Sequence, residues 1–204
     1  MALLYQTVSE PPPQNVTSCV PIFSKQITQA NAITDYEKRH IGYRPWLGDG
    51  YYFWEGFKSH AHHWGKTHCG GAYAIYTLEY IYGDNAGCLN LVDNPDHIEL
   101  IERIIGVFVK SKSRKPELLS EVIYFFRASM KSNPSSKKFD SIRTLAEGGM
   151  DLGGDPILHF DKANAAVYHI KRQIQVCFWQ RNGCFDRIRK IFPENCISED
   201  IQYV

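Results

Sequence analysis

Leu47-Gly48-Asp49-Gly50-Tyr51-Tyr52-Phe53-Trp54, followed closely by Phe57 to Lys66, is the stretch on which the fold turns. Gly48-Asp49-Gly50 is a turn, because glycine reaches backbone angles that other residues avoid and Asp bonds its own backbone in tight bends. It feeds Tyr51 to Trp54, a strand of bulky β-formers, and one face of such a strand makes a flat aromatic wall suited to a planar ligand. The next segment, Phe57 to Lys66, is predicted as a helix that Gly70-Gly71 closes. Taken alone, a G-x-G turn running into an aromatic strand is equally compatible with an ordinary core strand.

Upstream, Pro11-Pro12-Pro13 cannot supply backbone donors, so residues 1–18 are expected as an extended N-terminal segment on the surface. Val20 to Phe23 reads as a short strand and Gln26 to Arg39 as a helix with Ile27, Ala30 and Ile33 on one face. Downstream, Tyr73 to Tyr82 and Cys88 to Val92 read as strands. Asn94-Pro95 begins a helix toward Val109, and Glu117 to Lys131 forms a second. Lys137 to Leu145 suits a short helix or a strand. Glu147 to Asp155 is a glycine-rich loop, His169 to Gln180 a buried strand, and Ile188 to Phe192 a short last element. Strands and helices do not alternate as βαβ units. The expectation is therefore one α+β domain over residues 1–204 with a mostly antiparallel core.

Composition narrows the function classes. With 204 residues, 44% hydrophobic and 22% charged, the chain buries a full core and is too apolar for a disordered segment. A net charge of +1 provides no overall field for nucleic acid or an anionic membrane, and Lys110, Lys112, Arg114 and Lys115 read as a solvated loop between helices. No apolar run approaches bilayer length, and the N-terminus has no basic segment leading into one. Cytoplasmic folding is expected, which leaves delivery into another cell as an effector open. The six cysteines are dispersed, without a C-x-x-C pair, and are expected mostly reduced.

His60, His62, His63, His68 and Cys69 crowd together, but His60 and His63 share a helical face with no carboxylate beside them. Neither H-E-x-x-H nor H-x-E with P-C-x-x-C occurs, so no metal is expected. A G-x-S-x-G nucleophile elbow is also absent.

Gly48-Asp49-Gly50-Tyr51-Tyr52-Phe53 with the helix that follows it resembles the NAD-binding element of ADP-ribosyltransferases of the poly(ADP-ribose) polymerase-like and bacterial toxin types. The resemblance is one of motif, over about a tenth of the chain. It implies a split, mostly antiparallel sheet. It also implies an aromatic sandwich for nicotinamide, made by Tyr52 of the strand and by His63 or Trp64 of the helix, with Ala61 as the small residue before them. Gly48, Asp49, Gly50 and Phe53 belong to the same element. The family's first-strand histidine, which bonds the adenosine ribose, has no counterpart at Phe23-Ser24-Lys25, where Ser24 is the substitute donor.

The family also carries a glutamate that stabilises the ribosyl cation. Two positions compete for it. Glu147, in Arg143-Thr144-Leu145-Ala146-Glu147-Gly148, is preferred, and the Gln173-Ile174-Gln175 strand is the other. Arg143 and Arg172 are candidate pyrophosphate ligands, since a guanidinium forks onto phosphate oxygens. The resemblance thus implies NAD as substrate, Tyr52 and Glu147 as catalytic residues, and Gln175 at the cofactor. The implied acceptor is a macromolecule, protein in preference to nucleic acid, as for a toxin, an effector or a modifier. A glutamine in the glutamate's place would instead leave a binding module for a nucleotide, a modified protein or a partner. Tyr51 and Trp54 are expected on the side of the strand away from Tyr52.

Overall fold

A computed structural model describes residues 1–10, 20–82, 87–133, 138–146, 157–159 and 167–193. In chain order the elements are β1 (Ala2–Ser9), β2 (Phe23–Ser24), α1 (Asp35–Arg39), β3 (Gly50–Glu55), α2 (Lys58–His68), β4 (Tyr73–Tyr80) and β5 (Cys88–Asn90). They continue with α3 (Pro95–Lys112), α4 (Leu119–Ser132), β6 (Ser141–Leu145), β7 (Ile157–His159), β8 (Val167–His169), β9 (Ile174–Phe178), a 3-10 turn (Gly183–Arg187) and β10 (Arg189–Phe192). The architecture is α+β. Its main sheet runs β10-β4-β1-β3-β9-β6-β5, with β2 added to β3, and β7 and β8 form a separate hairpin. Pairing is antiparallel except between β5 and β6.

The N-terminal expectation is corrected. Ala2–Ser9 is an interior strand of the sheet, paired with β4 along its whole length and with β3 at Leu4↔Glu55 and Tyr5↔Trp54. The prolines that suggested a surface segment begin only at Pro11, whereas residues 2–9 alternate Leu4, Gln6 and Val8 with Tyr5 and Thr7, as a strand with two packed faces requires. The helix expected over 26–39 contracts to α1. Asn31 accepts from Thr28 N and donates to Gln26 O, which makes a turn instead. Thr34 and Glu37 then form a capping box that starts the helix at Asp35. Of the strand expected over 169–180, only Ile174–Phe178 joins the main sheet, while Val167–His169 pairs with β7. Within the segment expected as a short helix or strand over 137–145, Ser141–Leu145 is the strand β6.

Alternation along β3 assigns the layers. Phe53 packs with Leu4, Leu78, Val176, Phe178 and Phe185 on one face of the sheet. Tyr52 and Trp54 point to the other. There, α3 and α4 cover Leu47, Leu89, Ile142 and Cys177, while α2 covers Tyr5, Trp54 and Ile75. Each aliphatic or aromatic side chain so buried contributes about 1.5–3 kcal/mol. Trp54 was expected opposite Tyr52, and the period-2 geometry of the strand overturns that. Gly50 has no room for a side chain, since a Cβ there would lie 2.4 Å from Cys177 Sγ and 2.5 Å from Phe178 O.

Candidate functional site

The turn before β3 is held from three sides. Tyr52 accepts a hydrogen bond from Leu47 N (2.7 Å) and donates to Gly48 O (2.8 Å), so its hydroxyl closes the loop that precedes its own strand. Trp179 Nε1 donates to Leu47 O at 3.0 Å. From α4, Tyr124 donates to Asp49 Oδ1 (2.7 Å) and Arg127 Nη1 to Asp49 O (2.9 Å). Gly48, at φ 79°, is the left-handed residue that lets the turn lie against Arg127 and Ile123. Burial, and next the neighbouring Cys177, raises the Tyr52 phenol well above its ordinary range, so it stays protonated.

Beyond Tyr52 the same face carries an aromatic wall. Trp64 on α2 lies against Trp54, with ring centroids 6.2 Å apart, and Trp46 meets it edge-on at 6.1 Å. His68, one turn along α2, stacks on Trp64 at 3.8 Å with the ring planes 9° apart. Trp46 is 40% exposed, so the wall reaches the surface. Gln175 pairs with Trp54 across β3 and β9 and is buried on that face. Tyr52 and Trp64 therefore share one side of the sheet. They are separated along β3 by Trp54, and among the described residues the rings that meet Trp64 are Trp46, Trp54 and His68.

The remaining candidates divide. Phe53 is 1% exposed in the opposite layer, so its place in a cofactor site is corrected to core. Arg143 is also corrected as a pyrophosphate ligand. It makes a fork onto Glu55 (2.8 Å to each oxygen) and bonds Asn90 Oδ1 (3.1 Å) and Asp93 Oδ2 (3.0 Å), in the layer opposite the wall. Tyr82 donates to Glu55 at 2.6 Å and lies under the guanidinium. Burial works against the Arg143 charge, but the bonds to Glu55 prevail and raise its pKa. Burial likewise opposes the Asp93 charge, and the bonds from Asn90 and Arg143 still hold its carboxyl low. Ser24 pairs with Gly50 on the edge strand β2, and His63 lies half-buried on α2. Glu147 lies outside the described residues, one residue beyond Ala146. Ala146 packs against the cluster of Trp54, Tyr5 and Ala61, as Trp64 does, and its N–H bonds Gln173 O at 2.7 Å.

Four contributors escaped the sequence reading: Gln6, Trp46, Tyr124 and Arg127. Gln6 stands where β1 and β3 stop pairing and β2 takes over. Its amide donates to Tyr52 O (3.2 Å) and Ile22 O (3.1 Å) and accepts from Ile22 N (2.7 Å). Only its polar break in the Leu4-Val8 alternation marks it in the sequence. Among the described residues no group of three or more side chains is arranged to hold a metal ion, and no helix is long and apolar enough to cross a membrane. Cys69, Cys88, Cys177 and Cys184 are free thiols, and burial pushes Cys88 up to about 11.

No family model, curated protein or solved structure matches this chain.

Proposed function

We propose that the chain is an NAD-dependent ADP-ribosyltransferase that binds NAD along the Tyr52–Trp54–Trp64 face and transfers ADP-ribose to a macromolecular acceptor, in the first place a protein. One observation carries this reading: β6 brings Ala146, the residue before Glu147, into the aromatic cluster of Trp54 and Trp64. Nicotinamide transfer requires an aromatic wall and a carboxylate, and Glu147 is the carboxylate next in the chain after Ala146. The bond between the nicotinamide nitrogen and ribose C1′ breaks with its electron pair going to nitrogen, which neutralises the pyridinium and leaves an oxocarbenium ion. The Glu147 carboxylate stabilises that cation electrostatically. An acceptor lone pair then forms the new bond at C1′ and releases a proton. The Tyr52 hydroxyl is committed to the Leu47–Gly48 loop, so Tyr52 contributes its ring.

A second reading, a binding module with the same architecture, is favoured by Gln175. The β9 position beside Trp54 holds a neutral amide, which cannot stabilise a ribosyl cation as a carboxylate does. The deciding experiment is mass-spectrometric detection of nicotinamide after incubation of the protein with NAD and a cell lysate. Release that disappears in Glu147→Gln supports the transferase. Undiminished release in that variant moves the carboxylate elsewhere. Binding of NAD without release supports the module, and absence of both overturns the NAD reading.

A further inference from the structure

Arg143 is consumed by Glu55, whereas α4 carries a second arginine, Arg127, beside the Gly48–Gly50 turn. We infer that Arg127 is an anion-binding residue that takes a phosphate or pyrophosphate group of the ligand seated on the aromatic face, an inference that rests on the nucleotide reading above. The guanidinium is half-buried and held in place rather than neutralised. Its carbon lies 5.1 Å from the centre of the Trp179 ring, and Nη1 donates to Asp49 O at 2.9 Å. A Cβ on Gly48 would come within 3.1 Å of Nη1, so the glycine is what allows the close approach. The carboxylate of the turn, Asp49, accepts from Gln26 N (2.7 Å) and Tyr124 OH (2.7 Å), both through Oδ1. Among the described residues, Arg127 forms no ion pair within 4.0 Å with an Asp or Glu.

Such an arrangement is organised for a ligand. The Trp179 ring beneath it and the bond through Nη1 hold the guanidinium, leaving Nη2 and Nε as donors for paired oxygens. Surface arginines paired with a carboxylate, such as Arg114 with Glu121, have spent that capacity. Position fits as well. Trp46, which meets Trp64, is two residues before Gly48, which touches Arg127, and two residues of chain span at most about 7 Å. The same short loop therefore carries both a ring of the aromatic wall and the glycine against which the guanidinium lies.

The test uses the full chain and two probes, inorganic pyrophosphate and ADP-ribose, titrated calorimetrically against wild type, Arg127→Gln, Arg127→Lys and the exposed control Arg103→Gln. Loss of charge-assisted bonds predicts about ten- to a hundredfold weaker binding of both probes in Arg127→Gln. Arg127→Lys recovers part of that loss, and Arg103→Gln matches wild type. A circular-dichroism melt shows whether each variant is folded, and Arg127→Lys carries the test if Arg127→Gln is not. Pyrophosphate that binds wild type and Arg127→Gln equally, or does not bind wild type at all, overturns the inference. Pyrophosphate contains neither nicotinamide nor ribose. Its binding through Arg127 without nicotinamide release would refute only the transferase, and release without Arg127-dependent binding would refute only this inference.

Discussion

Replacing Tyr52 with Phe separates the two roles open to this side chain. The ring stays and the hydroxyl goes, leaving Leu47 N without its acceptor and Gly48 O without its main donor. Leu47 is 2% exposed, so water does not readily replace the lost partner. Two hydrogen bonds at about 1 kcal/mol each, plus part of the desolvation cost of an orphaned amide, give a destabilisation of about 2–3 kcal/mol. For a chain of this size that lowers Tm by about 4–12 °C. The assay is thermal and urea denaturation of Tyr52→Phe beside wild type, with m unchanged if only the native state is altered. Nicotinamide release from the surviving folded fraction should persist, because the ring still forms the wall. A Tm within about 1 °C of wild type would refute the latch, and loss of turnover in a protein of unchanged stability would return the hydroxyl to the chemistry. Burial raises the Tyr52 pKa, so its contribution is full below its unfolded value of about 10 and is lost as pH rises beyond it.

Three more outcomes follow from the packing. Gly50→Ala places a methyl group on Cys177 and the Phe178 carbonyl, and should cost about 1–3 kcal/mol or more, seen as a fall in urea midpoint; a neutral effect would show that β3 and β9 lie further apart. Glu55→Gln strips a charge from a buried fork and should destabilise by about 3–5 kcal/mol, read by the same melts, with a surface-like loss below about 1 kcal/mol contradicting the burial. The Glu37 carboxyl is held down to about 2, first by the backbone amide of Thr34 and then by Lys25 and Ile33. Its folded pKa is depressed, so its support for α1 is present above its unfolded value of about 4.5 and is lost as pH falls toward about 2. A carboxyl-carbon NMR titration of Glu37 with a midpoint near 4.5 would show that the capping box does not form in solution.

The amino-acid sequence by itself determined the local elements whose cause is local. The Gly48–Gly50 turn, the aromatic strand, the helices after Asn94 and Leu118, and the α+β class with a mostly antiparallel sheet all follow from turn chemistry, caps and periodicity. It also marked Trp64 and Gln175, which do meet the Trp54 side of β3. Tertiary structure decided the rest. Ala2–Ser9 is short and precedes a proline run, and only pairing with β4 and β3 makes it an interior strand. Arg143 and Arg127 are both arginines at helix-or-strand positions. One is spent because Glu55 lies 88 residues away in the chain yet across only β9 in the sheet, and the other bonds the Asp49 carbonyl while Tyr124 bonds the Asp49 carboxylate. Partners far apart in sequence leave no periodic trace, so which charge is neutralised is settled only by the fold.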